Sequence, residues 1–397
     1  MKRLIKKSHF DNIHALRFIA VLWIFISHCF VTNNEQVRVS SLFTDVRQVS
    51  INLNHLAYSL LFILTGFLNT WTIFEERFIY KKMNVLRFYM RRILGILPLY
   101  LVIFLLGFFL LPALSFDLPV SQSMPVDMLQ YLLLFFNFSY FDTYSPLDGV
   151  LGNMWSIAVT MQFILVWPIL MTYFRRKEST LIILGLLAFG AGAWFYYEPD
   201  KEQFRYNTLN ILCDFMAGAF VAYFSFFKYK THIFLKKQTK RTIGFIYLVF
   251  FAIIIFKSRI LFRFHEVPPQ VLFIVERLLL TAALAFFLFE QTFSSNSVLK
   301  LSKLKIFNPP GKIAYSIYAY HAFGIILGYK VLTFLVSEQS QLAVLLFLPL
   351  ISLAITSVIA LFSTEYFEKK FTRRKKNYNP TREYNPVGLQ DVKTKSA

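Results

Sequence analysis

The sequence predicts an all-α polytopic membrane protein with about ten transmembrane helices and both termini in the cytoplasm. Three observations carry this. The 397 residues are 56% hydrophobic, with 47 Phe and only 16% charged residues, more apolar surface than a soluble domain of this length can hide. Several uninterrupted apolar runs approach the ~20 residues that cross a bilayer as a helix. The net charge of +20 gathers in alternate loops between those runs, which ties it to membrane orientation rather than to nucleic acid.

The runs fall at 14–32, 56–74, 93–112, 154–174, 179–197, 207–226, 242–256, 268–291, 313–335 and 342–363. Alternating the loops places 32 of the 42 Lys and Arg residues on one side: Lys2, Arg3, Lys6 and Lys7, then Arg77–Arg92, Arg175–Lys177, Lys228–Arg241, Lys300–Lys312 and the tail from Lys369. Seven lie on the other side, and Arg17, Arg277 and Lys330 lie inside spans. Positive residues stay cytoplasmic, so both termini are expected there. The stretch Met128–Phe138 is apolar but short and has no Lys or Arg in either flank. Counting it as a span would invert every later loop, so it is expected to be re-entrant or interfacial. The transmembrane unit is expected over 1–370, followed by a basic, disordered cytoplasmic tail over 371–397, too poor in apolar residues to fold alone. The basic, apolar N-terminus resembles a signal peptide, but no small-residue cleavage site follows Phe30, so a retained helix is expected.

The most informative pair of residues is Arg17 and His28, both inside the apolar run Ala15–Phe30. Eleven residues advance a helix by about 16 Å and return it to within roughly 20° of the same face. An arginine near one membrane surface and a histidine about three turns deeper therefore share a stripe. Ionisable groups at such depth face partners or water, and mark functional sites by default. The duller readings are a helix–helix hydrogen bond for His28 and snorkelling to head groups for Arg17. No metal-ligand spacing is present, and both cysteines, Cys29 and Cys213, fall in apolar runs, so neither a metal nor a disulfide framework is expected.

Five elements in order carry a resemblance. They are Leu16-Arg17-Phe18 through Ser27-His28, Phe62-Ile63-Leu64-Thr65-Gly66-Phe67-Leu68, and Phe88-Tyr89-Met90-Arg91-Arg92-Ile93 with Pro98-Leu99-Tyr100. Trp155-Ser156-Ile157 with Gln162-Phe163 and Trp167-Pro168 follows, then Tyr315-Ser316-Ile317-Tyr318-Ala319-Tyr320-His321. The chain resembles the acyltransferase-3 family, bacterial membrane proteins that O-acylate surface glycans, over roughly residues 12–370. It departs from the family pattern twice: the glutamate of the tryptophan block falls at Thr160, and the second arginine of the R-x-x-R element falls at Gly95.

The resemblance implies an acyl-CoA-dependent O-acyltransferase of the bacterial inner membrane. It implies acetyl-CoA as co-substrate with no permanently bound cofactor, and a surface polysaccharide or lipopolysaccharide (O-antigen) sugar as acceptor. Acyl-CoA, the glycan and the lipid bilayer are the expected partners, and nucleic acid is not. A hydroxyl nucleophile needs a base, and imidazole titrates near working pH, so His28 is expected as the base and Arg17 as a fixed cation for CoA phosphate or the acyl carbonyl. Arg91 and Arg92, with Trp155, Ser156, Tyr318 and His321, are the expected substrate- and acyl-CoA-binding residues. The arginine cluster would also arise from membrane orientation alone.

Depth suggests one more role. Asp214 and Glu276 lie about 10–13 Å into their helices from outside, at the level of His28 and Thr160. Either could supply the carboxylate that Thr160 lacks; alternatively Glu276 pairs with a neighbouring helix, or Arg277 partners an acid elsewhere. Two other functions stay open: a proton-coupled transporter or exporter using Asp214, Glu276, Arg277 and His321, and a catalytically silent relative. Absence of an evident repeat counts mildly against the transporter.

Overall fold

The structure is a computed structural model that describes residues 10–113, 128–139, 151–197, 206–228, 233–234, 237–261, 267–294, 296–336 and 339–378. Every regular element among these is helical, as a chain must be where no water can satisfy an open sheet edge. The principal helices are α1 (Asp11–Cys29), α2 (Ser41–Tyr80), α3 (Val85–Leu105), α4 (Trp155–Tyr173), α5 (Lys177–Tyr197), α6 (Thr208–Phe227), α7 (Lys240–Leu261), α8 (Pro269–Phe293), α9 (Ala314–Leu335), α10 (Leu348–Phe362) and α11 (Lys369–Lys375). Eight helical segments are long and apolar enough to cross a membrane. The two other expected spans, α5 and α7, are helices of 21 and 22 residues.

Two helices exceed their apolar runs. At 40 residues, α2 is about 60 Å long, twice the ~30 Å hydrocarbon core. Its first turns are largely exposed and carry Asp45, Arg47 and Gln48, so that end projects beyond the span. Ser40 starts it by accepting from the Phe43 amide, and Lys81, at φ 62°, ends it. Beyond α10 the chain stays helical through a π segment, Ser363–Glu368, then α11 and a last turn to Tyr378. Residues 371–378, expected to begin a disordered tail, therefore extend the last helix and pack on α3. The rest of that tail lies outside the described residues.

Close packing of small residues holds the helices together, because apolar helices gain nothing by leaving lipid. The α2–α6 contact is the most extensive: a Cβ built on Gly218 would lie 1.9 Å from the Ile63 carbonyl oxygen, and one on Gly66 2.1 Å from that of Phe215. Only hydrogen at these positions lets the backbones meet. Helix α1 lies between α2 and α9, and α9 packs along α10.

The expected re-entrant stretch is two short helices, Met128–Leu132 and Phe136–Ser139, broken at Leu134, whose φ is 62°. Polar groups around such a break need donors inside the protein, and neighbouring helices supply several. Tyr100 Oη donates to Tyr131 O at 2.7 Å, and Gln162 Nε2 donates to Leu134 O and, at 2.7 Å, to Asn137 Oδ1.

Candidate active site

His28 lies in the last turn of α1, where the helix faces α9. Its Nδ1 is 2.9 Å from His321 Nε2, and the rings stack at 5.2 Å between centroids and 19° between planes. The other nitrogen of His321, Nδ1, bonds the Tyr318 carbonyl oxygen one turn back on α9. A carbonyl only accepts, so His321 Nδ1 carries a proton. In a neutral imidazole Nε2 is then the acceptor, and His28 Nδ1 must donate to it. That leaves His28 Nε2 with a free lone pair: a base whose tautomer and ring plane are set by its neighbour. His321 is itself buried, while His28 keeps accessible surface.

The frame beneath this pair comes from α4. Tyr318 Oη donates to the Asn153 carbonyl oxygen, so the Ser156 hydroxyl, 2.7 Å away, donates to Tyr318. Trp155 packs on Tyr58 and Tyr206, each at 5.0 Å. Ser156, Trp155 and Tyr318, expected to bind substrate, are buried, and their contacts tie the start of α4 to the part of α9 that carries His321.

The expected supporting acids are elsewhere. Asp214 is fully buried and accepts from Arg277 at 2.5 Å and from Thr281 Oγ1 at 2.9 Å, with Arg277 also reaching Ser59 Oγ at 3.3 Å. Among the described residues the hydrogen-bond partner of His28 is His321, not Asp214 or Glu276. Asp214 is thus paired with a cation, and the group hydrogen-bonded to His28 is an imidazole. Thr160, one turn along α4 from Ser156, is half-buried.

At the other end of α1, Arg17 shares electrostatic range with Arg92 on α3 and Lys375 on α11. It is partly exposed. Arg91 is buried and paired to Glu76 Oε2 at 2.8 Å, and it donates to Tyr378 O at 2.7 Å. Arg92 lies over the Phe88 ring at 5.4 Å. The other oxygen of Glu76 accepts from the Asn84 amide at 2.9 Å, and Asn84 caps α3 by accepting from the Arg87 amide. One carboxylate thus closes the α2–α3 turn and aims an arginine.

Sequence reasoning passed over three groups here. Glu76 and Lys375 looked like ordinary members of a charged loop and tail. Glu368 did too, yet it accepts from Ser316 at 2.8 and 2.9 Å and from Ser363 at 3.0 Å, tying α9 to the π segment after α10. π segments recur at functional positions, but this one shows only in the folded backbone. A groove of about 480 Å³ between α5, α6 and α8, with Ala188, Cys213, Phe220 and Phe289 in its wall, shares no residue with either end of this site.

The fold is thus a bundle of apolar helices with a hydrogen-bonded imidazole at one end of α1 and a cluster of cations at the other. The acyltransferase domain family profile matches residues 10–363, and the chain belongs to that acyltransferase family. It is similar to the O-acetyltransferase OatA of Staphylococcus aureus, 23% identical over 328 residues, which cover 79% of this chain and 52% of that protein. It is also similar to the peptidoglycan O-acetyltransferase OatA of Listeria monocytogenes, 24% identical over 178 residues, 41% of this chain and 28% of that protein. The chain therefore spans about half the length, or less, of these curated relatives. No solved structure matches.

Proposed function

We propose that this protein is a membrane O-acyltransferase that moves an acyl group, acetyl by analogy with the named relatives, from a cytoplasmic acyl-CoA to a glycan hydroxyl on the far side of the membrane. The observation that carries the reading is the His28–His321 pair, because it leaves His28 Nε2 as a free acceptor about 16 Å along α1 from Arg17. CoA phosphates cannot enter the bilayer, whereas the pantetheine arm, with few polar groups and no charge, suits an apolar passage. The cations hold the phosphates and the arm carries the thioester inward. His28 Nε2 takes the proton of the acceptor hydroxyl as its oxygen attacks the thioester carbonyl. The C–S bond then breaks, and the proton passes from His28 to the leaving thiolate. His321 keeps the Nδ1 proton of His28 in place throughout, the part a carboxylate plays in a triad.

The Listeria relative's name makes peptidoglycan one candidate acceptor; surface polysaccharide or lipopolysaccharide is the other class. Residence in a bacterial inner membrane with both termini cytoplasmic follows from the same assignment and from the loop charges. The transporter alternative asked Asp214, Glu276, Arg277 and His321 to form one relay. Of these, Asp214 does pair with Arg277, but the side-chain partner of His321 is His28, which supports the acyltransferase reading. The test is acetyl content, by mass spectrometry, of separated surface-polysaccharide and peptidoglycan fractions from cells lacking the gene. These are complemented with wild type or His28→Ala. Restoration by wild type alone is expected; equal restoration by His28→Ala contradicts the reading.

A further inference from the structure

Helix α11 brings a lysine to the one position of the α3 cationic face that has no side chain. A Cβ built on Gly95 would lie 3.0 Å from Lys375 Nζ. Gly95 is one turn along α3 from Arg91 and Arg92, so the ammonium takes the next place in their row. In the turn that follows α11 the chain is clamped to α3 again, Arg91 donating to Tyr378 O at 2.7 Å. The orientation of Lys375 is specific: it is half-buried, while residues 372–374 and 376–377 are exposed.

Turning a lysine inward is unfavourable here by itself. Its long stem ordinarily lets the head group reach water, and this one lies in electrostatic range of Arg17, Arg91 and Arg92. Two acids stand against the four cations: Glu76, already paired with Arg91, and Glu75, in range of Arg91. Among the described residues, Arg17, Arg92 and Lys375 have no ion pair. Like charges gathered in partly buried surroundings repel, and a multiply charged anion offsets that repulsion.

We infer that Lys375 is an anion-binding residue, completing with Arg17, Arg91 and Arg92 a well for the linked phosphate groups of the acyl donor. The inference rests on the donor reading above and extends it to the C-terminal helix, which then belongs to the binding site rather than to a tail. It also gives Gly95 a reason: a larger residue there would displace the ammonium. The same phosphate chemistry is offered by a lipid head group, so the probes must separate the two sources.

The test uses the full chain in phosphatidylcholine nanodiscs, with calorimetric titration of coenzyme A and, separately, of inorganic diphosphate. Lys375→Met keeps the stem and removes the charge, and should weaken both probes about tenfold, as loss of one charge-assisted contact does. Arg374→Met, on the exposed face, should bind as wild type. Gly95→Lys combined with Lys375→Ala, which returns a cation to the same space from the other helix, should recover most of the loss. Unchanged affinity of Lys375→Met for both probes overturns the inference while leaving the donor reading intact. Wild-type binding of diphosphate but not coenzyme A, with the tenfold loss in Lys375→Met, upholds the anion well and overturns the donor reading. Binding of neither probe overturns the inference; co-purified phosphatidylglycerol lost in Lys375→Met would then name a lipid head group as the occupant.

Discussion

Replacing His321 by alanine removes the acceptor for His28 Nδ1–H, a bond of 2.9 Å, and a ring stacked at 5.2 Å. A buried hydrogen bond of this kind contributes about 1 kcal/mol net, and the stranded donor costs about 1–3 kcal/mol. The catalytic loss is larger than the bond alone implies, because the freed imidazole can place its proton on Nε2 and cease to be a base. At 1.36 kcal/mol per factor of ten, the expected fall in kcat is about tenfold to a hundredfold, with the KM for acyl donor changed less than about twofold. His28→Ala should cost more, about a hundredfold to ten-thousandfold, the usual span for a general base. His321→Gln, whose side-chain oxygen can accept the same proton, should recover part of the loss. The assay is single-turnover transfer of radiolabelled acetyl from acetyl-CoA to glycan by purified protein. A His321→Ala enzyme with wild-type kcat, or a His321→Gln enzyme no better than alanine, refutes the idea that His321 orients His28.

Three further outcomes follow from the packing. Gly218→Val must push the α2 backbone away from a contact that already allows only 1.9 Å for a Cβ; a loss of about 1–3 kcal/mol is expected from overpacking, read as a lower melting temperature in detergent. Asp214→Asn leaves Arg277 without its charge partner, so stability should fall by about 3–5 kcal/mol while kcat of the folded fraction stays near wild type; a selective loss of kcat would instead return Asp214 to the chemistry. Glu76→Gln should weaken both the α2–α3 turn and the Arg91 pair, raising the donor KM more than it lowers kcat in steady-state assays.

Much of the fold was legible because bilayer thickness sets helix length, and each apolar run marks one helix centre. What lies outside the bilayer carries no such signal. The first turns of α2, from Ser41 to Asn54, mix Asp45, Arg47 and Gln48 with apolar residues, and their continuity with the span shows only in the structure. The Lys369–Tyr378 extension was hidden for the same reason, its lysines and arginines reading as a solvated tail. At the site, Arg17, His28, His321, Arg91 and Arg92 stand out individually as ionisable groups in apolar surroundings. Their pairing does not, since His28 and His321 are 293 residues apart and no local period links them. The vacancy at Thr160 suggested a missing acid, and depth alone made Asp214 a candidate. Depth fixes one coordinate of three, and the facing direction sends Asp214 to Arg277. Lys375 was illegible because a glycine records only that space is needed, not what fills it.

The account stands on one chain of residues serving two substrates from opposite ends of α1. The most direct measurement is sidedness in sealed proteoliposomes of uniform protein orientation, with radiolabelled acetyl-CoA on the face bearing Arg17 and Lys375 and glycan acceptor confined to the other. Label on the acceptor with wild type, and none with His28→Ala, is the predicted result. Transfer that requires donor and acceptor on the same face, or that persists without the His28 imidazole, would contradict it.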